Sequence, residues 1–290
     1  MKDTNSSLAP QERFTFEATK TTPLPREGHG GGVSMGKVPF LILITNDDGY
    51  EAAGIQALVK AVSHLGEVWM VAPDGARSGA AASITCTKPV SYREVGERVF
   101  ACSGKPVDCV KLALERIVPR KPDLLLSGIN HGDNASISVH YSGTMGAVLE
   151  GCMKGIPSIG FSLYLWRGQR YEEHPLGQDT LDEIGRFCAR VLQNGLPQDV
   201  CLNVNFPTDQ PFRGWQVCRQ ARGLWSAEWE PADAPNHYHL TGEFTDLEPD
   251  ATDTDFAALR AGFCSVVPVT VDTTAHEVIV LLNERLKVNG

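Results

Sequence analysis

Asn46-Asp47-Asp48-Gly49 closes an otherwise apolar run, Pro39 to Thr45. Two adjacent carboxylates at the end of a buried strand repel and lose solvation unless something compensates them. A hard divalent cation with oxygen ligands is the natural compensation. A polar turn is the plain alternative, since Asn-Asp and Asp-Gly are common turn pairs. Two more polar, glycine-containing segments follow apolar runs: Pro73-Asp74-Gly75-Ala76-Arg77-Ser78-Gly79 and Ser127-Gly128-Ile129-Asn130-His131-Gly132. Ser78 and Asn130 can add neutral oxygen ligands to Asp47 and Asp48. Such a set leaves room for water and a phosphate oxygen, and it suits Mg²⁺ or Mn²⁺ better than zinc.

Tyr141-Ser142-Gly143-Thr144-Met145-Gly146 opens a helix rich in small residues. The free N–H groups and positive dipole end of a helix attract anions. The Ser142 and Thr144 hydroxyls add donors, and Gly143 permits close approach. A plain N-cap by Ser142 is the alternative, but beside an acidic metal site the segment reads as a phosphate cradle. Lys105, at the entry to a second helix, either touches a substrate anion or is a solvated loop lysine. Asp108 supports that helix's N-terminus. His237 and His239 lack a third ligand at a telling spacing and are not read as a metal pair. Asp272 and His276 are four apart and meet only if the backbone turns there.

These residues need a scaffold that brings them to one edge. The run at 39–45 reads as a strand buried on both faces. Gly54–Leu65 has helical spacing, and Glu67–Ala72 is a second buried strand. Strand, helix and strand in so short a span form a βαβ unit with parallel strands. Val90–Cys102 reads as a hairpin, Pro106–Ile117 as a helix, Asp123–Leu126 as a third buried strand and Ser142–Met153 as a helix. Strands at Ile156–Ser162 and Val200–Phe206 flank a helix at Leu181–Leu192. Loops run to Pro249, then a helix at Asp255–Ala261 and strands near Cys264–Val269. The expected fold is α/β, a Rossmann-like, doubly wound, mostly parallel sheet with a C-terminal strand and loop extension. In such sheets ligands bind beyond the carboxyl ends of the strands, where all three polar segments lie.

The expected divisions are an N-terminal extension at 1–37, a catalytic core at 38–205 and the C-terminal extension at 206–290. The first contains TTPLPREGHGGG, which buries too little apolar surface to order itself. Lys plus Arg number 26 against 35 Asp plus Glu, a formal charge of −9. That balance argues against polymeric nucleic acid, which needs clustered cations. It leaves small phosphate esters open, because one metal ion inverts the local field. No apolar run is long enough to span a bilayer. The eight cysteines form no C-x-x-C pair, consistent with scattered thiols in a reducing compartment.

Five ordered blocks carry a family resemblance: NDDG at 46–49, APD-x-x-RSG-x-x-x-S ending at Ser83, G-x-P-x-DCVKLAL from Gly104, SGIN-x-G-x-N from Ser127, and YSGT-x-GA-x-EG from Tyr141. Together with TDFAALRAGFCSVVPV at 254–269, the chain resembles the SurE family of stationary-phase survival proteins, metal-dependent 5′-nucleotidases. The resemblance implies hydrolysis of nucleoside 5′-monophosphates, with 3′-monophosphates and short polyphosphates as further candidates. It implies one divalent metal per subunit, Mg²⁺ or Mn²⁺, on Asp47, Asp48, Ser78 and Asn130, of which Asp47, Asp48 and Asn130 are also the catalytic groups. Phosphate and substrate contacts would fall on Asn46, Ser142, Gly143, Thr144 and Lys105. A cytoplasmic homodimer or homotetramer with an exchanged C-terminal arm is implied too, the Asp272/His276 pair positioning that arm. Two departures stand out. The family's Gly-Thr-Pro is Gly104-Lys105-Pro106 here, and its second Asn-x-Gly ends as Asn134-Ala135-Ser136. A non-catalytic nucleotide-binding module, or a receiver-like signalling module, is the alternative. A receiver needs a phosphorylatable Asp where this chain has Ser127 to Asn130.

Overall fold

The computed structural model describes residues 38–165, 169, 171–208 and 212–287, so the expected extension at 1–37 lies outside the described residues. The opening apolar run forms strand β1 (Phe40–Thr45), fully buried from Leu41 onward. Each such leucine or isoleucine contributes about 1.5–3 kcal/mol. Helix α1 (Ala53–Val62) buries Ile55, Leu58 and Val62 at helical spacing. Strand β2 (Gly66–Pro73) follows, then the hairpin of β3 (Tyr92–Gly96) and β4 (Val99–Cys102). Helix α2 (Pro106–Leu112) carries its proline in the first turn, where no N–H is missed. The helix expected to continue regularly to Ile117 instead widens: the Val118 N–H donates to the Ala113 carbonyl, five residues back, at 2.9 Å.

Strand β5 (Leu124–His131) is longer than its apolar run and includes the polar Ser127 and Asn130. Helix α3 (Gly143–Met153) is capped by Ser142, whose Oγ accepts the Met145 N–H at 3.0 Å. Strand β6 (Ser158–Leu163), helix α4 (Gln178–Asn194) and strand β7 (Val200–Phe206) complete the expected elements of the first two-thirds. The stretch read as loops to Pro249 holds five short strands: β8 (Trp215–Val217), β9 (Gly223–Ser226), β10 (Trp229–Pro231), β11 (Tyr238–Leu240) and β12 (Glu243–Asp246). Helix α5 (Asp255–Arg260) and strand β13 (Cys264–Thr270) lie close to where they were expected; helix α6 (Ile279–Leu286) was not foreseen.

The main sheet has the order β3-β4-β2-β1-β5-β6-β7-β13-β8. The six strands from β4 to β7 run parallel, while β3 and β13 are antiparallel to their inner neighbours. β9 pairs with β12, and β10 with β11, as separate two-stranded ladders. One core cluster packs α1 and α4 against one face of the sheet, and another packs α2 and α3 against the other. The chain moves outward from β1 through β2 to β4, then returns on the other side of β1 as β5. The strand order therefore reverses between β1 and β5, where Thr45 pairs with Ser127. A crevice at the carboxyl ends of the two strands is the binding position this topology provides. Among the described residues no helix is long and apolar enough to cross a membrane.

Candidate metal and phosphate site

At that reversal a cavity of about 340 Å³ is lined by Asp47, Ser78, Asn130 and Ser142, together with residues of the late strands. β1 delivers Asp47, the loop after β2 delivers Ser78, β5 delivers Asn130 and the start of α3 delivers Ser142. Asp47 is 4% exposed. Its Oδ1 accepts the Thr144 hydroxyl at 2.5 Å, and its carbonyl accepts the Arg77 N–H at 2.6 Å. Burial, with the neighbouring Asp48 charge, pushes its carboxyl up to about 6, against the lowering pull of the Thr144 hydroxyl and N–H. Asp48 is also raised by burial, and its Oδ2 accepts the His131 N–H at 3.2 Å. It does not line the cavity and turns toward β5.

The neutral donors are free to serve. The Asn130 amide gives its Nδ2 to the Gly132 carbonyl at 2.8 Å, which leaves Oδ1 for a ligand. The Ser78 hydroxyl has no partner among the described residues. Two carboxylates held above their ordinary pKa, plus two uncommitted neutral oxygens, form an all-oxygen set that fits a hard divalent cation. Among the described residues no group of three or more His, Cys, Asp or Glu could hold a metal ion.

Gly143 has a steric task. A Cβ there would lie 2.9 Å from the Asp47 Cβ and 3.0 Å from its Oδ2, so only glycine lets α3 begin against this carboxylate. The Thr144 hydroxyl is spent on Asp47 and does not face the cavity. Ser142 lines it, and while its Oγ caps α3 the hydroxyl proton remains available to an anion.

Two further expected substrate contacts do not line the cavity. Asn46 is fully buried, with Nδ2 donating to the Gly49 carbonyl (2.8 Å) and Oδ1 accepting the Gly49 N–H (3.2 Å). It shapes the turn that presents Asp47 and Asp48, and Gly49, at φ +108°, supplies the backbone that turn requires. Lys105 does not line the cavity either. It sits at the N-cap of α2, where its N–H donates to Asp108 Oδ2 at 2.9 Å, and Thr85 holds the same carboxylate. The Asp272/His276 pair does meet, at 2.7 Å on the surface. Thr274, then His276, hold Asp272 down to about 2.

Other lining residues escaped sequence reasoning: Asp133 after β5, and Trp225, Glu228, Leu240 and Thr241 from the late strands. Neither periodicity nor spacing links residues 225–241 to Asp47, because only the tertiary fold brings them together.

The sequence of this chain matches the family model "Survival protein SurE" over residues 42–227. It is 50% identical over 250 residues to the 5′-nucleotidase SurE of Bacteroides thetaiotaomicron, covering 84% of this chain and 95% of that protein. It is 47% identical over 249 residues to the 5′-nucleotidase SurE of Phocaeicola vulgatus, covering 83% and 95%. Its fold superposes on the crystal structure of the SurE protein from Aquifex aeolicus with a TM-score of 0.71 at 33% identity, covering 85% of this chain and 99% of that one.

Proposed function

This chain belongs to the SurE family, and on that premise we propose how it works as a 5′-nucleotidase, hydrolysing nucleoside 5′-monophosphates to nucleoside and phosphate. The observation that carries the reading is the single cavity shared by Asp47, Ser78, Asn130 and Ser142 at the reversal of strand order.

Asp47, Asp48, Ser78 and Asn130 would hold one divalent cation, Mg²⁺ or Mn²⁺. When bound, that ion neutralises charge developing on the phosphoryl oxygens. Ser142 donates its hydroxyl proton to a phosphoryl oxygen, and the start of α3 adds its positive end. Asp47 or Asp48 orients the attacking water or accepts its proton. Thr144 and Gly143 act on Asp47: one through a hydrogen bond, the other by making room. A receiver-like module is not favoured, because β5 presents Ser127 and Asn130 and no phosphorylatable aspartate.

The C-terminal segment serves assembly in this reading. Helix α6 leaves Ile279, Val280, Leu281, Leu282 and Leu286 exposed in the single chain, an apolar face suited to a second copy in a dimer or tetramer. Residues 206–290 are therefore proposed as the oligomerisation extension of a 38–205 core, in a cytoplasmic enzyme.

The test is phosphate release from nucleoside 5′- and 3′-monophosphates with Mg²⁺, Mn²⁺ or EDTA, for the wild type and Asp47→Asn. Metal-dependent release from the 5′-esters, abolished in a folded Asp47→Asn, is expected. A variant that keeps most of its turnover overturns the assignment.

A further inference from the structure

Hydrolysis accounts for part of the cavity's lining. The late strands contribute lining residues with no part in it: Trp225, Glu228, Leu240 and Thr241, with Tyr141 also lining the space. The Trp225 ring is braced before any ligand arrives. Phe244 packs edge-on to it at 5.4 Å and itself lies 4.9 Å from Phe256 of α5. Tyr141 and Leu240 are exposed, so their apolar surface stays wet until something covers it. A braced aromatic ring sharing a cavity with exposed apolar side chains suits a flat ring, and preorganisation lowers the cost of binding it. Stacking of this kind tolerates any base. Selection among bases must come from a polar group at the ring's edge.

Glu228 is the polar group in place to do this. Its carbonyl is tied to the Thr241 N–H at 2.8 Å, which fixes the backbone. The Thr241 hydroxyl is turned away to the Ala227 carbonyl at 3.3 Å. The Glu228 carboxylate has no hydrogen-bond or ion-pair partner among the described residues. Asp133, the other acidic lining residue outside the ligand set, already accepts the Ala135 N–H and lies three residues after Asn130 in the chain.

An ionised carboxylate only accepts hydrogen bonds, through two oxygens side by side. Guanine offers the matching pair, N1–H and a 2-amino N–H. Hypoxanthine keeps N1–H and lacks the amine. Adenine and cytosine set one amino donor beside a ring-nitrogen lone pair, which a carboxylate repels. Uracil has one N–H between two carbonyls.

We propose that Glu228 makes this nucleotidase selective for guanine, its carboxylate taking N1–H and the 2-amino group of a base stacked on Trp225. The proposal rests on the phosphomonoesterase reading above.

The experiment measures kcat/KM with Mn²⁺ for GMP, IMP, AMP, CMP, UMP, 2′-deoxy-GMP and the base-free p-nitrophenyl phosphate, in the wild type and Glu228→Gln. Titration calorimetry with GMP and AMP runs alongside. GMP should exceed AMP and CMP by roughly tenfold or more, with IMP between, as expected when a site's polar group is left unpaired by the wrong base. Glu228→Gln should lower GMP roughly tenfold relative to p-nitrophenyl phosphate. It should also raise AMP, because an amide matches adenine's donor and acceptor. Equal kcat/KM across the five ribonucleotides overturns the proposal. So does an equal loss for all ribonucleotides that spares 2′-deoxy-GMP, which would put Glu228 on the ribose. If no phosphoester is hydrolysed, the nucleotidase reading fails. Calorimetry then still decides guanine selectivity: tighter GMP binding lost in Glu228→Gln upholds it, and equal affinities overturn it.

Discussion

Asp255 and Ser136, 119 residues apart in the chain, are joined by a 2.7 Å hydrogen bond from the Ser136 N–H to the Asp255 Oδ2. The other oxygen accepts the N–H groups of Ala221 and Phe256, at 3.0 and 2.9 Å. The Ser136 hydroxyl closes the loop on the Ala221 carbonyl at 2.9 Å. One fully buried carboxylate thus ties three segments together: the stretch between Asn130 and Ser142, the approach to β9, and the start of α5. Ser136 holds a left-handed φ of 50°, a conformation a non-glycine residue keeps only when its surroundings enforce it.

Asp255→Asn should expose that dependence. The amide keeps an oxygen for Ala221 and Phe256 but turns an N–H₂ group against the Ser136 N–H. Leaving that buried donor unpaired costs about 1–3 kcal/mol. The urea midpoint should fall accordingly, and KM for nucleotides should rise because Trp225 and Ser142 lose a common anchor. An unchanged midpoint would show that the tie carries no stability.

Thr144→Val tests the support of Asp47. Removing the hydroxyl takes away the 2.5 Å bond that favours the ionised carboxylate. Loss of a bond that orients a ligand typically costs 10–100-fold in metal affinity. The Mn²⁺ concentration for half-maximal activity should rise by about tenfold or more, with much of the rate recovered at saturation. Low activity at all Mn²⁺ concentrations would assign the hydroxyl to the reaction itself.

Asp133 supplies a pH signature. Burial, reinforced by the Asp255 charge, pushes its carboxyl up to about 6, above the unfolded value of about 3.9. The folded chain therefore holds this proton more tightly. The group's stabilisation is complete below about pH 4 and is lost as pH rises through about 6. Asp133→Asn keeps an acceptor for the Ala135 N–H. It should stabilise the metal-free protein at pH 8 by up to about 3 kcal/mol and give no gain at pH 4. Urea unfolding in EDTA at the two pH values measures this, and an equal effect at both would contradict it.

Ending the chain at Asp272 tests the assembly role of the C-terminal segment. The five exposed apolar residues of α6 are removed, with no buried core side chain among them. Sedimentation should show a folded monomer, against the dimer or tetramer proposed for the full chain. An unchanged mass would place the interface elsewhere.

Elements whose side chains obey one rule were legible in the sequence. β1 is apolar on both faces because both are covered, and α4 shows its buried face in Leu181, Ile184, Cys188 and Val191. The acidic pair was legible because two carboxylates at the end of such a strand demand an explanation. β10 and β11 were not, since all six of their residues are exposed and nothing alternates. α6 reads as an unbroken apolar run, Ile279 to Leu282, and no described residue covers it. Asn46, expected among the substrate contacts, commits its amide to Gly49 of its own turn, a local bond that the residue type alone does not announce. Glu228 and Trp225 reach the cavity only through the pairing of late strands, and sequence spacing carries no record of that.

β7 ends at Phe206 and its antiparallel neighbour β13 begins at Cys264, so the chain makes a long excursion between these two paired strands and, among the described residues, touches the sheet in it only as the edge strand β8. Closing so long an excursion before its ladder forms is entropically costly, which makes this side of the sheet a late event in folding. Once formed, the ladder runs from Ser265 opposite Asn205 to Thr270 opposite Val200. A protease that nicks the exposed turn between β10 and β11 would cut the chain in two without touching that ladder. The fragments should stay joined as one particle under native conditions and part only in denaturant.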